Sequence, residues 1–219
     1  SLSVSWAREM CIRDRYRGSG HIFAITTWGF GITIALFMFD GVCMNPAMVL
    51  AQCILGMIPW SCFVPYSLAE LLGAFVASLI IYIMYADQFK ASENEVDPIA
   101  VRNIFSTNPI IRNLPRNFFV ELFATFIFIS ATLMIATKYK SMLPIGVGLL
   151  VWAIGMGLGG PTGFAMNQAR DLGPRLAFQV LPIKNKANND WKYGLLIPGL
   201  APFVGAAVSA MFVHLYFGI

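Results

Sequence analysis

Charge is scarce in this chain of 219 residues: only 12% are Asp, Glu, Lys or Arg, about half the share found in soluble domains. Apolar residues make up 58%, and a soluble domain of this length must still cover itself with polar groups, so an ordinary soluble protein is excluded. The mean hydropathy of +0.69 requires apolar surface that faces lipid as well as a core. Basic runs are also lacking. The net charge of +4 comes from 15 thinly spread Lys and Arg, which excludes a surface that tracks nucleic-acid phosphates. Cysteine is sparse too. Cys11, Cys43, Cys53 and Cys62 form no CxxC pair and no His/Cys group at metal spacing, so they read as free thiols, with no metal or cofactor expected. With no nucleophile–base pair and no phosphate loop, the sequence does not read as an enzyme.

Long apolar runs are what the chain has. Stretches close to the roughly 20 residues that cross a bilayer fall at 22–39, 65–86, 118–137, 142–159 and 194–217. These five spans make the chain an all-α, polytopic membrane protein. Two shorter apolar pieces, 46–64 with Pro59 and Trp60 inside it and 168–180, open on turn residues and read as re-entrant half-helices. Such broken backbone is tolerated at membrane depth only where it lines a cavity enclosed by protein or filled with water. The one long polar stretch, 87–117, reads as a solvated connector. Residues 1–17 are polar and Arg-rich, with no apolar region long enough for a signal peptide. They are set apart as an atypical segment outside the fold, and 18–219 is taken as the membrane domain.

Two segments repeat. Gly41-Val-Cys-Met-Asn45-Pro46-Ala47 and Gly163-Phe-Ala-Met-Asn167-Gln168-Ala169 share G-x-x-M-N-x-A, 122 residues apart. Three crossings separate them, so the half-helices enter from opposite faces and the repeat is inverted. The second copy reads span, span, half-helix, span; the first reads span, half-helix, span. By this symmetry a counterpart of the span at 118–137 is expected ahead of Ile22.

Asn45 followed by Pro46 is a strong helix start, since Asn can bond the free N–H groups of the first turn and Pro has no donor to orphan. Asn167-Gln168 is a looser version of it. Helices entering from opposite faces bring their positive N-terminal ends together at mid-membrane. A pore there opposes cations, and amide N–H groups facing it can bind the oxygen of water or of a polyol.

With these motifs, and with GPTGFAMNQARDLGPR at 160–175 and Trp28-Gly29, the chain resembles the major intrinsic proteins, the aquaporins, and most closely their glycerol-facilitator branch. The resemblance spans about 18–219. It implies an aquaporin-like inverted repeat of five visible spans and two half-helices, lacking the family's first membrane helix. It further implies a plasma-membrane homotetramer without cofactor, passing glycerol, water and other small neutral solutes passively. Carried over residue by residue, the constriction is Trp28, Gly155, Phe164 and Arg170, with Gly155 leaving width where water-selective relatives have His. Arg170 offers forked, permanently charged donors to hydroxyls. Glu121 inside a span is costly unless satisfied, and the resemblance implies that it accepts backbone N–H groups of the re-entrant loop. Asp171 beside Arg170 reads as a local ion pair that positions the loop. Glu70 reads as an acid that reaches the interface.

The chain departs from the family pattern at Gln168, where a second Pro is usual, and at Cys43, where His is usual. The family orientation leaves Lys138 and Lys140 as the only basic residues of the inner loop, with the other Lys and Arg outside, against the positive-inside tendency. Two other readings remain open: a water-selective channel, and a non-conducting truncated fragment or structural subunit.

Overall fold

The computed structural model describes residues 21–39, 42–91, 97–184 and 186–218. The segment 1–17 and the expected helix ahead of Ile22 lie outside the described residues. Among the described residues there is no strand. The helices in chain order are α1 (His21–Met38), α2 (Pro46–Ile54), α3 (Phe63–Met84), α4 (Ala86–Ala91), α5 (Pro98–Phe105), α6 (Leu114–Lys138), α7 (Leu143–Leu158), α8 (Gln168–Val180), α9 (Trp191–Gly194) and α10 (Ala201–Phe217). Four stretches are long and apolar enough to cross a membrane, Trp60–Met84, Leu114–Lys138, Lys140–Leu158 and Trp191–Phe217, and α1 adds a shorter apolar helix. Large apolar side chains such as Phe30, Leu72, Ile83, Leu149 and Leu215 point outward on them, as lipid-facing residues must.

The spans pack mostly across the repeat, and α1 and α7, which both feed the main apolar cluster, form the central pair. α1 lies against α7, α10 against α6, α3 against α8 and α10 against α2. Lipid tails are as apolar as Leu, so close packing rather than hydrophobic expulsion joins such helices, and small residues let their backbones meet. Gly29 and Gly148 do this for the central pair. A Cβ on Gly29 would stand 2.8 Å from the Gly148 carbonyl oxygen, and one on Gly148 would stand 2.7 Å from that of Gly29. Between α6 and α10 the seam includes a buried hydrogen bond, Ser130 Oγ to Ser209 Oγ at 2.8 Å.

Three boundaries differ from the sequence reading for local reasons. α6 begins at Leu114 rather than 118, because Asn113 caps it by accepting the Arg116 N–H at 3.2 Å and Pro115 fits the first turn. The last span is not uniform: Leu195–Leu200 forms a π-helical turn around Pro198, a form found mostly as single turns inserted in α-helices. The polar stretch 87–117 is not a solvated connector throughout. Val101, Ile104 and Phe105 have the one-face spacing of a helix, and α5 buries them on Phe89 and Phe178, with ring centroids 5.8 and 5.4 Å from Phe105. Arg102 is buried as well and donates to the Asn188 carbonyl at 2.7 Å and to Asn108 Oδ1 at 2.8 Å.

On this same face Arg112 forms a two-pronged pair with Asp190, its second contact at 3.0 Å. The bonded guanidinium holds the Asp190 carboxyl below its ordinary value. A group with a depressed folded value stabilises the fold above its unfolded pKa, about 3.9 for Asp, and loses that contribution as pH falls through the lower folded value. Asp190→Asn is therefore expected to lower thermal stability modestly, by an amount constant from neutral pH down to about pH 4 and vanishing in stronger acid. Thermal unfolding in detergent across pH checks this. At the central crossing, Gly148→Val forces the backbones of α1 and α7 apart and is expected to cost about 3 kcal/mol, read as loss of the monodisperse species in gel filtration after mild heating.

Candidate functional site

The two half-helices start against each other. Asn45 caps α2 in extended backbone (φ −153°), its Oδ1 accepting the Ala47 N–H at 3.0 Å. Asn167 caps α8 likewise (φ −160°), accepting the Arg170 N–H at 3.1 Å. Each carboxamide also reaches across the repeat: Asn45 Nδ2 donates to the Met166 carbonyl at 2.8 Å, and Asn167 Nδ2 donates to the Met44 carbonyl at 2.6 Å. The sequence reading had the amide N–H groups facing a lumen. One N–H of each amide is committed to the backbone of the opposite turn, leaving the second, and both Asn residues border a cavity. Pro46, Ala47, Gln168 and Ala169 are all buried around these starts. Gln168 does not leave α8 loose: its Nε2 donates to the Gly199 carbonyl at 3.2 Å, where the π turn supplies an acceptor.

Two carboxylates hold the turns before the caps. Glu121 is fully buried on α6 and accepts the N–H groups of Ala165 and Met166 at 2.9 and 2.8 Å. Those bonds fix a strained backbone, since Phe164 and Met166 have φ of +40° and +48°, a region non-Gly residues seldom occupy. Glu70 does the same service in the first repeat. It is buried rather than interfacial, with Oε1 accepting the Asn45 N–H at 3.0 Å. Glu70, an acid inside a span, needs partners as much as Glu121 does. Repeat matching did not reveal it, because Glu121 lies on the first helix of its repeat and Glu70 on the last.

Asp171 pairs with Arg175 and not with Arg170. Both are wholly buried, 2.7 Å apart and one helical turn apart. Its other oxygen accepts the Thr107 N–H and hydroxyl at 2.6 Å each, while Arg175 donates to the carbonyls of Thr107 and Asn189. Thr107 comes from the stretch read as a connector, and no motif marked it. A buried pair so completely bonded fixes α8 against the loops on that face.

Trp28, Phe164 and Arg170 come together. The rings of Trp28 and Phe164 lie 5.5 Å apart and tilted by 55°, and the Arg170 guanidinium carbon sits 4.2 Å from the Trp28 centroid and 5.9 Å from that of Phe164. Arg170 Nη2 also donates to the Gly163 carbonyl at 3.4 Å. Gly155 joins the group at the Phe164 edge, but its missing side chain does not open free width: the position of a Cβ is crowded by Ile25 and Phe164. A largely apolar cavity of about 270 Å³ is bordered by Trp28 and the Asn pair and by Met48, Phe128, Val147, Phe39 and Lys140. Among the described residues no group of His, Cys, Asp and Glu is placed to hold a metal.

Residues 3–214 match the family described as Major intrinsic protein. The chain is 69% identical over 212 residues to Glycerol uptake facilitator protein 4 of Lactiplantibacillus plantarum, covering 96% of this chain and 89% of that protein. It is also 69% identical over 206 residues to the D/L-lactic acid transporter of the same organism, covering 94% and 87%. Among solved structures, the aquaglyceroporin from Plasmodium falciparum matches with a TM-score of 0.81 at 24% identity, over 97% of this chain and 90% of that one. The chain thus belongs to the major intrinsic protein family. It is an integral membrane protein of the channel type and not an enzyme, with the aquaglyceroporin fold.

Removing the Glu121 acceptors leaves two buried N–H groups unpaired, at about 1–3 kcal/mol each. Glu121→Leu is expected to abolish the folded protein, while Glu121→Gln, which retains one carbonyl acceptor, gives a folded but less stable one. Yield and thermal midpoint in detergent, measured side by side, check the order.

Proposed function

We infer that the chain is a passive channel for glycerol, with water and other small neutral solutes also passing, and that it works as a homotetramer in the plasma membrane. The observation that carries the reading is the three-sided group of Trp28, Phe164 and Arg170 beside the paired Asn caps. A polyol has a carbon side and a hydroxyl side. Two rings can take the first while a forked guanidinium takes the second, so this group, with Gly155 at its edge, acts as the selectivity constriction. Beyond it, the remaining N–H groups of Asn45 and Asn167 donate to the solute at the midplane. Two half-helix N-termini and the fixed charge of Arg170 oppose cations there. Similarity to relatives named glycerol uptake facilitator, from the 69% identical protein to more distant ones at 36% and 35%, supports the same solute.

A second solute has an observation of its own, the equally similar relative named D/L-lactic acid transporter. Protonated lactic acid is a three-carbon, neutral, hydroxyl-bearing solute that meets the same chemistry as glycerol, whereas its anion must leave water to enter an apolar passage.

Proteoliposomes measured by light scattering are expected to swell rapidly in glycerol, and Asn45→Leu or Asn167→Leu to abolish the flux; unchanged uptake in both variants would remove the pore assignment. Arg170→Val is expected to admit protons or cations while neutral flux persists, read with a pH-sensitive dye. Lactic acid flux should follow the neutral form and fall about tenfold per pH unit well above the acid's pKa. A flux independent of pH there would show that the anion is carried.

A further inference from the structure

Gly155 leaves a notch in α7, and that notch is filled. A Cβ at Gly155 would lie 2.7 Å from Ile25 Cγ2 and 3.2 Å from Phe164 Cζ. The isoleucine methyl and the tip of the phenyl ring therefore share the space that the glycine gives up. Ile25 is wholly buried and stands three positions before Trp28 on α1, on the same side of the helix. It belongs to one apolar cluster with Trp28, Ile154 and Phe164. On the other flank of the ring, a Cβ at Gly159 would stand 2.6 Å from Phe164 Cδ1. The ring is thus gripped between Gly159, Ile25 and the face of Trp28, on a backbone already held at φ +40°. Trp28 also borders the cavity, and the glycines contribute no side chain. Ile25 is the support that a solute does not reach.

We propose that Ile25 is a positioning residue that sets solute selectivity: seated in the Gly155 notch, it holds the Phe164 ring at its distance from the Arg170 guanidinium and so fixes the width between them. The proposal rests on the reading of Trp28, Phe164 and Arg170 as the constriction. Protein interiors are close-packed, so deleting a supporting methyl gives its neighbours space to move into. Ile25→Ala empties the notch, and the ring tip drops toward α1, away from Arg170. Gly155→Ala places a methyl where Ile25 and the ring already meet and drives the ring toward Arg170. The two substitutions act on one space with opposite sign. In the double variant the new methyl on α7 takes the place of Ile25 Cγ2, one of the three carbons that Ile25→Ala removes.

The test uses the full chain in proteoliposomes, with flux of water, glycerol and the four-carbon polyol erythritol taken as ratios, so that the amount of folded protein cancels. Ile25→Ala is expected to raise the erythritol-to-glycerol ratio about tenfold, the scale on which a methylene is discriminated in an apolar pocket. Gly155→Ala is expected to lower the glycerol-to-water ratio, and the double variant to return both ratios toward the parent values. A residue that only stabilised the fold would change total flux and leave the ratios alone. Should Ile25→Ala not fold, Ile25→Leu, which takes the Cγ2 branch out of the notch at nearly unchanged side-chain volume, shifts the ratio in the same direction by less. Phe164→Ala separates the role of Ile25 from that of the constriction. If it alters the ratios while the folded Ile25 variant does not, the role of Ile25 is overturned and the constriction stands. If Phe164→Ala leaves them unaltered, the constriction reading falls, and this inference with it.

Discussion

A helix that begins at membrane depth exposes backbone N–H groups where neither lipid nor a reliable water shell can take them, and each one left unpaired costs folding free energy. Two helices begin that way here, and much of the molecule is arranged to supply acceptors. The carboxamide oxygens of Asn45 and Asn167 cap their own helices. Glu70 and Glu121, each from a different spanning helix, take the N–H groups just before or at the caps. One carbonyl of each turn, that of Met166 and that of Met44, is bonded by the opposite Asn. Two carboxylates inside an apolar bundle, ordinarily a liability, are the means by which two interrupted backbones are tolerated.

The polar satisfaction of the turns also fixes the chemistry beside them. Glu121 holds residues 165 and 166, and thereby sets the direction in which Phe164 leaves the chain. The cap at Asn167 begins α8, and three residues later Arg170 lies over Trp28. The next turn is pinned by the buried Asp171–Arg175 pair and by Thr107, which follows α5. A guanidinium stacked on one ring and close to another is restrained in place by both.

How much of this was legible depended on whether the cause was local. The half-helices, their caps and their opposite entry followed from Asn45-Pro46, Asn167 and an odd number of spans between, because capping and topology are properties of short sequence. Glu121 was readable because a buried acid demands partners. Contacts that join distant segments were not. Asp171 looked like a partner for its neighbour Arg170, but in a helix adjacent residues point apart and the residue four along, Arg175, faces it. Thr107 and Arg102 lay in a stretch whose charges suggested solvent, although Val101, Ile104 and Phe105 carried a helical apolar face that fixes α5 against the bundle. Gly155 was read as open width; only the packing of α1 on α7 shows that Ile25 occupies the neighbouring space.

The crossed amide bonds have a consequence for how the chain is made. The carbonyl of Met44 is bonded by Asn167, and that of Met166 by Asn45, so neither turn is complete without a segment from the far end of the sequence. While the ribosome is still adding residues beyond α3, α2 has its cap and Glu70 but lacks the Asn167 amide that bonds the Met44 carbonyl, and a hydrogen bond left unmade in hydrocarbon is costly. The first half-helix therefore has no finished resting place at the midplane until the second repeat has been translated and threaded in from the other face. Insertion of the outer spans and closure of the centre are separate events in time, and the centre closes last.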